Sequence, residues 1–377
     1  MSFLEQKKLT ASDIATGDQF GNTVSISGDY AIVGAYNVED NIASAYIFKR
    51  NGTDWVEEQP LTASDDNLGK SVSINGDYAI VGTTNESAYI FKRNETVWEQ
   101  QTKITVSDIT AGDQFGYSVS INGDYAIVGA FGKNSYSGSA YIFKRNVTDW
   151  QEKQKLTAID IETGNLFGYS VSINDNYAIV GAFGKNSYSG SAYIFKRNGT
   201  NWNELKKLTA NDITTGDEFG NSVSINGDYA IVGASINNNS GSAYIFEING
   251  DLWTQQQKLT ANDIETDAKF GNSVSINGNY AIVAAFQNND IGTSSGSAYI
   301  YKTDGSLWTQ QTKIISNDLA SGDEFGISVA IDNGYSIIGA KGDYSDSGSA
   351  YIFYSTDAEA EADSGGSCIL GNTPVLT

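Results

Sequence analysis

The chain has 377 residues with 40 glycines, 22 tyrosines, six tryptophans, two prolines, one cysteine and no histidine. Without histidine there is no Ser-His-Asp triad and no His-ligated metal, and a single cysteine excludes an intrachain disulfide or a cysteine-cluster site. A net charge of −22 repels phosphate backbones, so nucleic acid is not an expected partner, and no apolar run of 18 residues exists to span a membrane.

The N-terminal stretch MSFLEQKKLT lacks the charged-then-apolar layout of a secretory signal. Beyond it the chain repeats. Phe-Gly-x-Ser-Val-Ser-Ile, with small variations, begins at Phe20, Phe115, Phe167, Phe219, Phe270 and Phe325, with Leu68-Gly69 as a variant. These seven anchors lie 48, 47, 52, 52, 51 and 55 residues apart. A second phrase, Ser-Ala-Tyr-Ile, places a tyrosine at 46, 89, 141, 193, 244, 299 and 351.

Each unit reads as four short strands, most clearly in the third. Val119–Ile121 alternates with serine, and Asn122-Gly123 gives the positive φ angles of a tight hairpin. Tyr125–Ala130 is apolar almost throughout, as for a strand covered on both faces. Ser139–Lys144 follows a glycine-rich loop, and Trp150–Leu156 ends the unit. Helix is not expected anywhere in residues 1–356. Units of this length with four strands predict an all-β, seven-bladed β-propeller.

The ends support that count. Each Trp precedes a Leu or Ile by six residues, from Trp55/Leu61 to Trp308/Ile314, but the seventh unit stops after Phe353 without one. Phe3 stands six residues before Leu9 and seventeen before Phe20, and seventeen is also the Trp-to-Phe distance in five units. The N-terminal strand is therefore predicted to complete the last blade and close the ring.

The repeat resembles the FG-GAP repeat of integrin α-subunit propellers, Phe115-Gly116 and Gly129-Ala130 being its two name elements. That resemblance implies a propeller used for adhesion or ligand recognition. Integrin repeats that bind calcium carry an Asp-rich loop between the first two strands. Here a two-residue turn such as Asn75-Gly76 or Asn226-Gly227 leaves no room for it. No metal and no cofactor is expected.

Several polar features recur. An Asp stands four residues after each outer-strand Leu or Ile: Asp13, Asp65, Asp108, Asp160, Asp212, Asp263 and Asp318. A second acid precedes the Phe by two at Asp18, Asp113, Asp217 and Asp323. Such pairs suit Ca²⁺, but a feature present in every blade reads first as an Asx-turn that shapes its loop. On the opposite rim, Lys49-Arg50, Lys92-Arg93, Lys144-Arg145 and Lys196-Arg197 form either solvated turns or a basic arc for an acidic partner. Asn-x-Ser/Thr sequons occur at Asn51, Asn85, Asn94, Asn146, Asn198 and Asn238.

The most ligand-like feature is the long loop between the second and third strands. Residues 130–145 and 182–197 are identical, and their loops offer Phe131, Tyr136, Phe183 and Tyr188, with Tyr36 and Tyr344 in related positions. Aromatic rings beside Asn and Ser suit a protein hot spot or sugar stacking. Alternatively, they fold down over the blade.

Residues 1–356 are thus read as the propeller, 357–367 as an acidic flexible linker and 368–377 as a separate tail. The tail resembles the first strand of a Hint (hedgehog/intein) autoprocessing domain, in which Cys368 takes the nucleophile's place. A histidine that the family uses is absent, so the resemblance implies a longer precursor carrying the propeller as cargo. The reading overall is a non-enzymatic recognition, adhesion or structural module on the surface of a cell or particle, with a cytoplasmic place left open. Its partner is a protein or a glycan, without membrane insertion, and side-by-side assembly into a larger structure is a further option.

Overall fold

The computed structural model describes residues 2–36, 43–63, 67–147 and 149–356. Asp65, the linker and the tail with Cys368 lie outside the described residues. Within them the chain forms seven four-stranded antiparallel sheets, each a meander. Blades 1 to 6 follow chain order. Blade 7 is built from Val329–Asp332, Tyr335–Ala340 and Ser349–Ser355, and Phe3–Leu9 pairs with the last of these as its outer strand. The N-terminus therefore closes the ring.

Every apolar cluster spans two neighbouring blades, so the core is distributed over seven interfaces and no blade buries its faces alone. The tryptophans sit there. Each meets a tyrosine of the preceding blade edge-on, as Trp202 meets Tyr125 at 5.5 Å, and Phe3 does the same with Tyr280 at 6.2 Å. Phe3 thus occupies the seventh tryptophan's place.

The two name glycines meet across these interfaces. A Cβ on Gly129 would collide with the carbonyl oxygen of Gly168 in the next blade, and the same clash joins Gly181 to Gly220. At these pairs the missing Cβ lets the inner strands approach so closely. The serines of the repeat bridge the same gap: Ser118 Oγ donates to the Gly168 carbonyl at 2.9 Å, and Ser120 Oγ accepts the Ile173 N–H at 3.2 Å.

Each outer strand carries a β-bulge at one equivalent place, which interrupts edge-to-edge pairing with another sheet. The bulged residue reaches the next blade. Gln6 Oε1 accepts the Trp55 indole N–H at 2.8 Å, and Glu58, Gln101 and Gln256 serve Trp98, Trp150 and Trp308. Lys153 and Leu205 fill the place in blades 3 and 4, and the buried indoles of Trp202 and Trp253 have no partner among the described residues.

Helical turns do occur, contrary to expectation, at Lys133–Tyr136, Lys185–Tyr188, Asp343–Asp346 and Asn237–Asn239. They are single turns within the long loops and contain left-handed backbone. Asn134, Ser135 and Tyr136 have φ of 52°, 56° and 65°. A turn this short leaves no periodic pattern in the sequence. No helix of the described residues is long and apolar enough to cross a membrane.

Candidate functional site

The rim that carries the long loops is braced by a recurring clamp. In blade 3, Asp108 accepts the Tyr141 hydroxyl at 3.0 Å and the Lys155 ammonium at 2.7 Å. Asp160 with Tyr193 and Lys207, Asp212 with Tyr244 and Lys258, and Asp318 with Tyr351 and Lys8 repeat it. Burial pushes these carboxyls up, but the lysine and tyrosine partners outweigh it and hold Asp108, Asp160, Asp212, Asp263 and Asp318 below the usual carboxylate range. Blade 1 lacks the lysine, because Pro60 stands opposite Tyr46.

The second acid does bond its own loop's backbone, but upstream rather than two residues on, so the bond it forms is not the expected Asx-turn. Asp18, Asp113, Asp217 and Asp323 each accept the backbone N–H three residues upstream, as Asp113 does from Thr110 at 2.7 Å. The first acid is committed to Tyr and Lys from other strands, a pairing that only the folded register brings together. Asp113 also binds the buried Lys133 at 2.9 Å. Among the described residues, no group of three or more acidic or cysteine side chains is arranged to hold a metal.

Above the clamps, the six aromatic candidates separate into two sets. Tyr136, Tyr188 and Tyr344 are 52 %, 49 % and 67 % exposed, each on a left-handed turn. Tyr344 falls two residues earlier in its turn than Tyr136 does, at the place of Asn134. Phe131 and Phe183, expected at loop tips, are instead half-buried at the loop base. Phe131 packs on Tyr117 at 4.6 Å and Phe183 on Tyr169 at 4.5 Å. Tyr36 holds the same place in the repeat, as the last residue of its strand, and faces Lys70, whose ammonium lies 4.3 Å from the ring centre.

Tyr117, Tyr169 and Lys70 are the residues that sequence reasoning missed. All three fill the x position after Phe-Gly, occupied elsewhere by Asn22, Asn221, Asn272 and Ile327. Inner strands of neighbouring blades touch all round the ring, so these side chains surround the axis. The Tyr117 hydroxyl donates to that of Tyr169 at 3.0 Å, and Asn221 donates to the Asn272 carbonyl at 3.3 Å. The signal was available, because x varies where its neighbours hardly do. A continuous aromatic row then runs Tyr136, Phe131, Tyr117, Tyr169, Phe183, Tyr188 across blades 3 and 4.

On the opposite rim, the arginines of the basic runs are inter-blade staples. Arg145 pairs with Asp124, donates to the Tyr78 hydroxyl at 2.5 Å and lies 4.3 Å from that ring's centre. Arg50, Arg93 and Arg197 stack likewise on Tyr335, Tyr30 and Tyr125. The asparagines of all six sequons are exposed.

A closed seven-bladed propeller with one rim of braced, aromatic loops defines a class of repeat scaffold. Residues 3–48, 55–91, 98–143, 150–195, 202–246, 253–301 and 308–353 each match the FG-GAP repeat. The chain belongs to the FG-GAP repeat family. Each matched stretch begins with the outer strand of one blade and continues into the next, the same offset that lets the N-terminal strand close the ring. No curated protein sequence matches the chain.

Proposed function

We propose that this propeller is a non-enzymatic recognition module that binds a protein partner through the long-loop rim, at the surface of a cell or particle. The observation that carries this reading is the presentation of Tyr136, Tyr188 and Tyr344, well exposed, on turns of left-handed backbone. Left-handed non-glycine residues cost about 1–2 kcal/mol each, and such strain clusters at functional sites. Tyrosine supplies large amphipathic contact area at small entropic cost, which is why it anchors protein interfaces. The clamps beneath keep the loops from collapsing when no partner is present, so the rim is preorganised.

The test is binding to arrayed surface proteins and glycans by the full chain and by a Tyr136→Ala, Tyr188→Ala, Tyr344→Ala variant. Protein binding lost in the variant is the expected result. Binding to glycans alone replaces this reading with a lectin that stacks sugars on the same rings, and binding unchanged in the variant removes the rim from the account.

A further inference from the structure

Lys70 differs from the clamp lysines and the loop lysine Lys133 of the long-loop rim. Lys8, Lys133, Lys155, Lys207, Lys258 and Lys313 each meet a carboxylate. The Lys70 ammonium lies over two rings, Tyr36 at 4.3 Å and Tyr117 at 4.7 Å. Among the described residues no carboxylate stands within ion-pair distance of it, and no oxygen accepts its N–H groups. Yet acidic side chains outnumber basic ones by 45 to 23. Desolvation and the charge of Lys341 push its pKa below the ordinary lysine value. Lys341 is itself paired with Glu324 at 3.2 Å, so it is no more free than the others.

A cavity of about 170 Å³ opens in front of this ammonium, lined by Tyr36, Thr83, Thr84, Gln114 and Tyr117. Glu86 also lines it, but its carboxylate accepts the N–H groups of Gly112 and Phe115 at 2.9 and 2.6 Å. That acid is committed to the backbone. The cavity therefore combines a cation unpaired among the described residues, a phenol wall and neutral hydroxyl and amide groups at the axial end of the rim. Its volume falls below the roughly 300 Å³ at which sites for free small molecules begin and matches the head of one side chain.

We infer that the Lys70 cavity receives the carboxylate of an acidic side chain from a protein partner seated on the rim. The inference rests on the rim reading above. The two rings fix the ammonium in place without neutralising it, and an arriving carboxylate supplies the acceptor that its three donors do not find among the described residues. It also offsets the repulsion from Lys341. The tyrosines at the loop turns then give contact area, and Lys70 gives one polar anchor at the inner end.

The test uses the full chain labelled with ¹³C at lysine Cε, the Lys70 signal being identified by its absence in Lys70→Met. The probes are N-acetyl-glutamate amide, the matching glutamine amide as a neutral control, and N-acetylneuraminic acid. The expected result is a saturable shift of the Lys70 signal with the glutamate probe, none with the glutamine probe, and retention of binding in Lys70→Arg. Fluorescence of the tyrosines, read in Lys70→Met, is expected to show binding weakened about tenfold or more. No saturable shift with the glutamate probe overturns the inference. So does a response to N-acetylneuraminic acid without one to the glutamate probe. The Tyr136→Ala, Tyr188→Ala, Tyr344→Ala variant is expected to titrate like the native chain, so failure of the rim reading is seen separately.

Discussion

The Lys8 ammonium lies 2.5 Å from the Asp318 carboxylate although 310 positions separate them. It is also 2.6 Å from Asp343, and the Tyr351 hydroxyl donates to Asp318 at 3.1 Å. The first strand thus supplies the clamp lysine of the last blade, as the outer strand does in blades 3 to 6, and its Phe3 fills the last interface. Closure is made by the same contacts that hold any two blades together.

Truncating Phe3 is expected to weaken the ring at its seam. Phe3→Ala should cost about 3 kcal/mol in urea unfolding, by the cavity it leaves. Phe3→Trp should be tolerated, and its indole would face Gln311, the bulged residue of the preceding outer strand.

The two indoles without partners offer a gain. Lys153→Gln and Leu205→Gln each place an amide oxygen where Gln101 and Gln256 already accept an indole. Each change is expected to raise stability by about 1 kcal/mol, measured by thermal unfolding. No change in either variant would mean that the buried indoles are already satisfied by water.

Crowding at the glycine pair is expected to destabilise. Gly181→Ala directs a methyl group at the Gly220 carbonyl and should cost about 1–3 kcal/mol. Blade 6 already carries Ala284 at this place, with its Cβ 3.1 Å from where a Cβ on Gly326 would stand. Ala284→Gly is therefore expected to be far milder.

The clamps set an acid limit. Their carboxyls titrate lower in the folded chain than in the unfolded one, so their stabilisation is fully present above the ordinary Asp value of about 3.9 and is lost as pH falls through the depressed folded values. Acid unfolding should begin below about pH 4, and Lys207→Met should move its onset to higher pH by releasing Asp160. Asp323 runs the other way. Burial and the neighbouring Asp343 and Asp318 raise it, so its charge opposes folding at neutral pH, and Asp323→Asn is expected to stabilise. Asn165 already fills the equivalent place in blade 4 and accepts the Glu162 N–H at 2.8 Å.

The fold was legible because each interface residue recurs seven times in register, so that even Phe3 could be placed by counting. What remained hidden depends on contacts between repeats. The bulge is one extra residue in an otherwise regular strand, and it shows only when Gln6 is seen against Trp55. Phe131 reads as a loop residue until Tyr117 of the inner strand takes it down. The exposed Tyr136 and Tyr188 were legible as loop residues, but their left-handed backbone was not, since Asn-Ser-Tyr carries no glycine to announce it.

Hydrogen exchange on the bound complex bears most directly on the rim as the recognition surface. With a partner recovered from the protein array, slowed exchange is expected in residues 131–138, 183–190 and 341–348. Protection confined to the turns that follow Arg50, Arg93, Arg145 and Arg197 would place the partner on the opposite rim and contradict it.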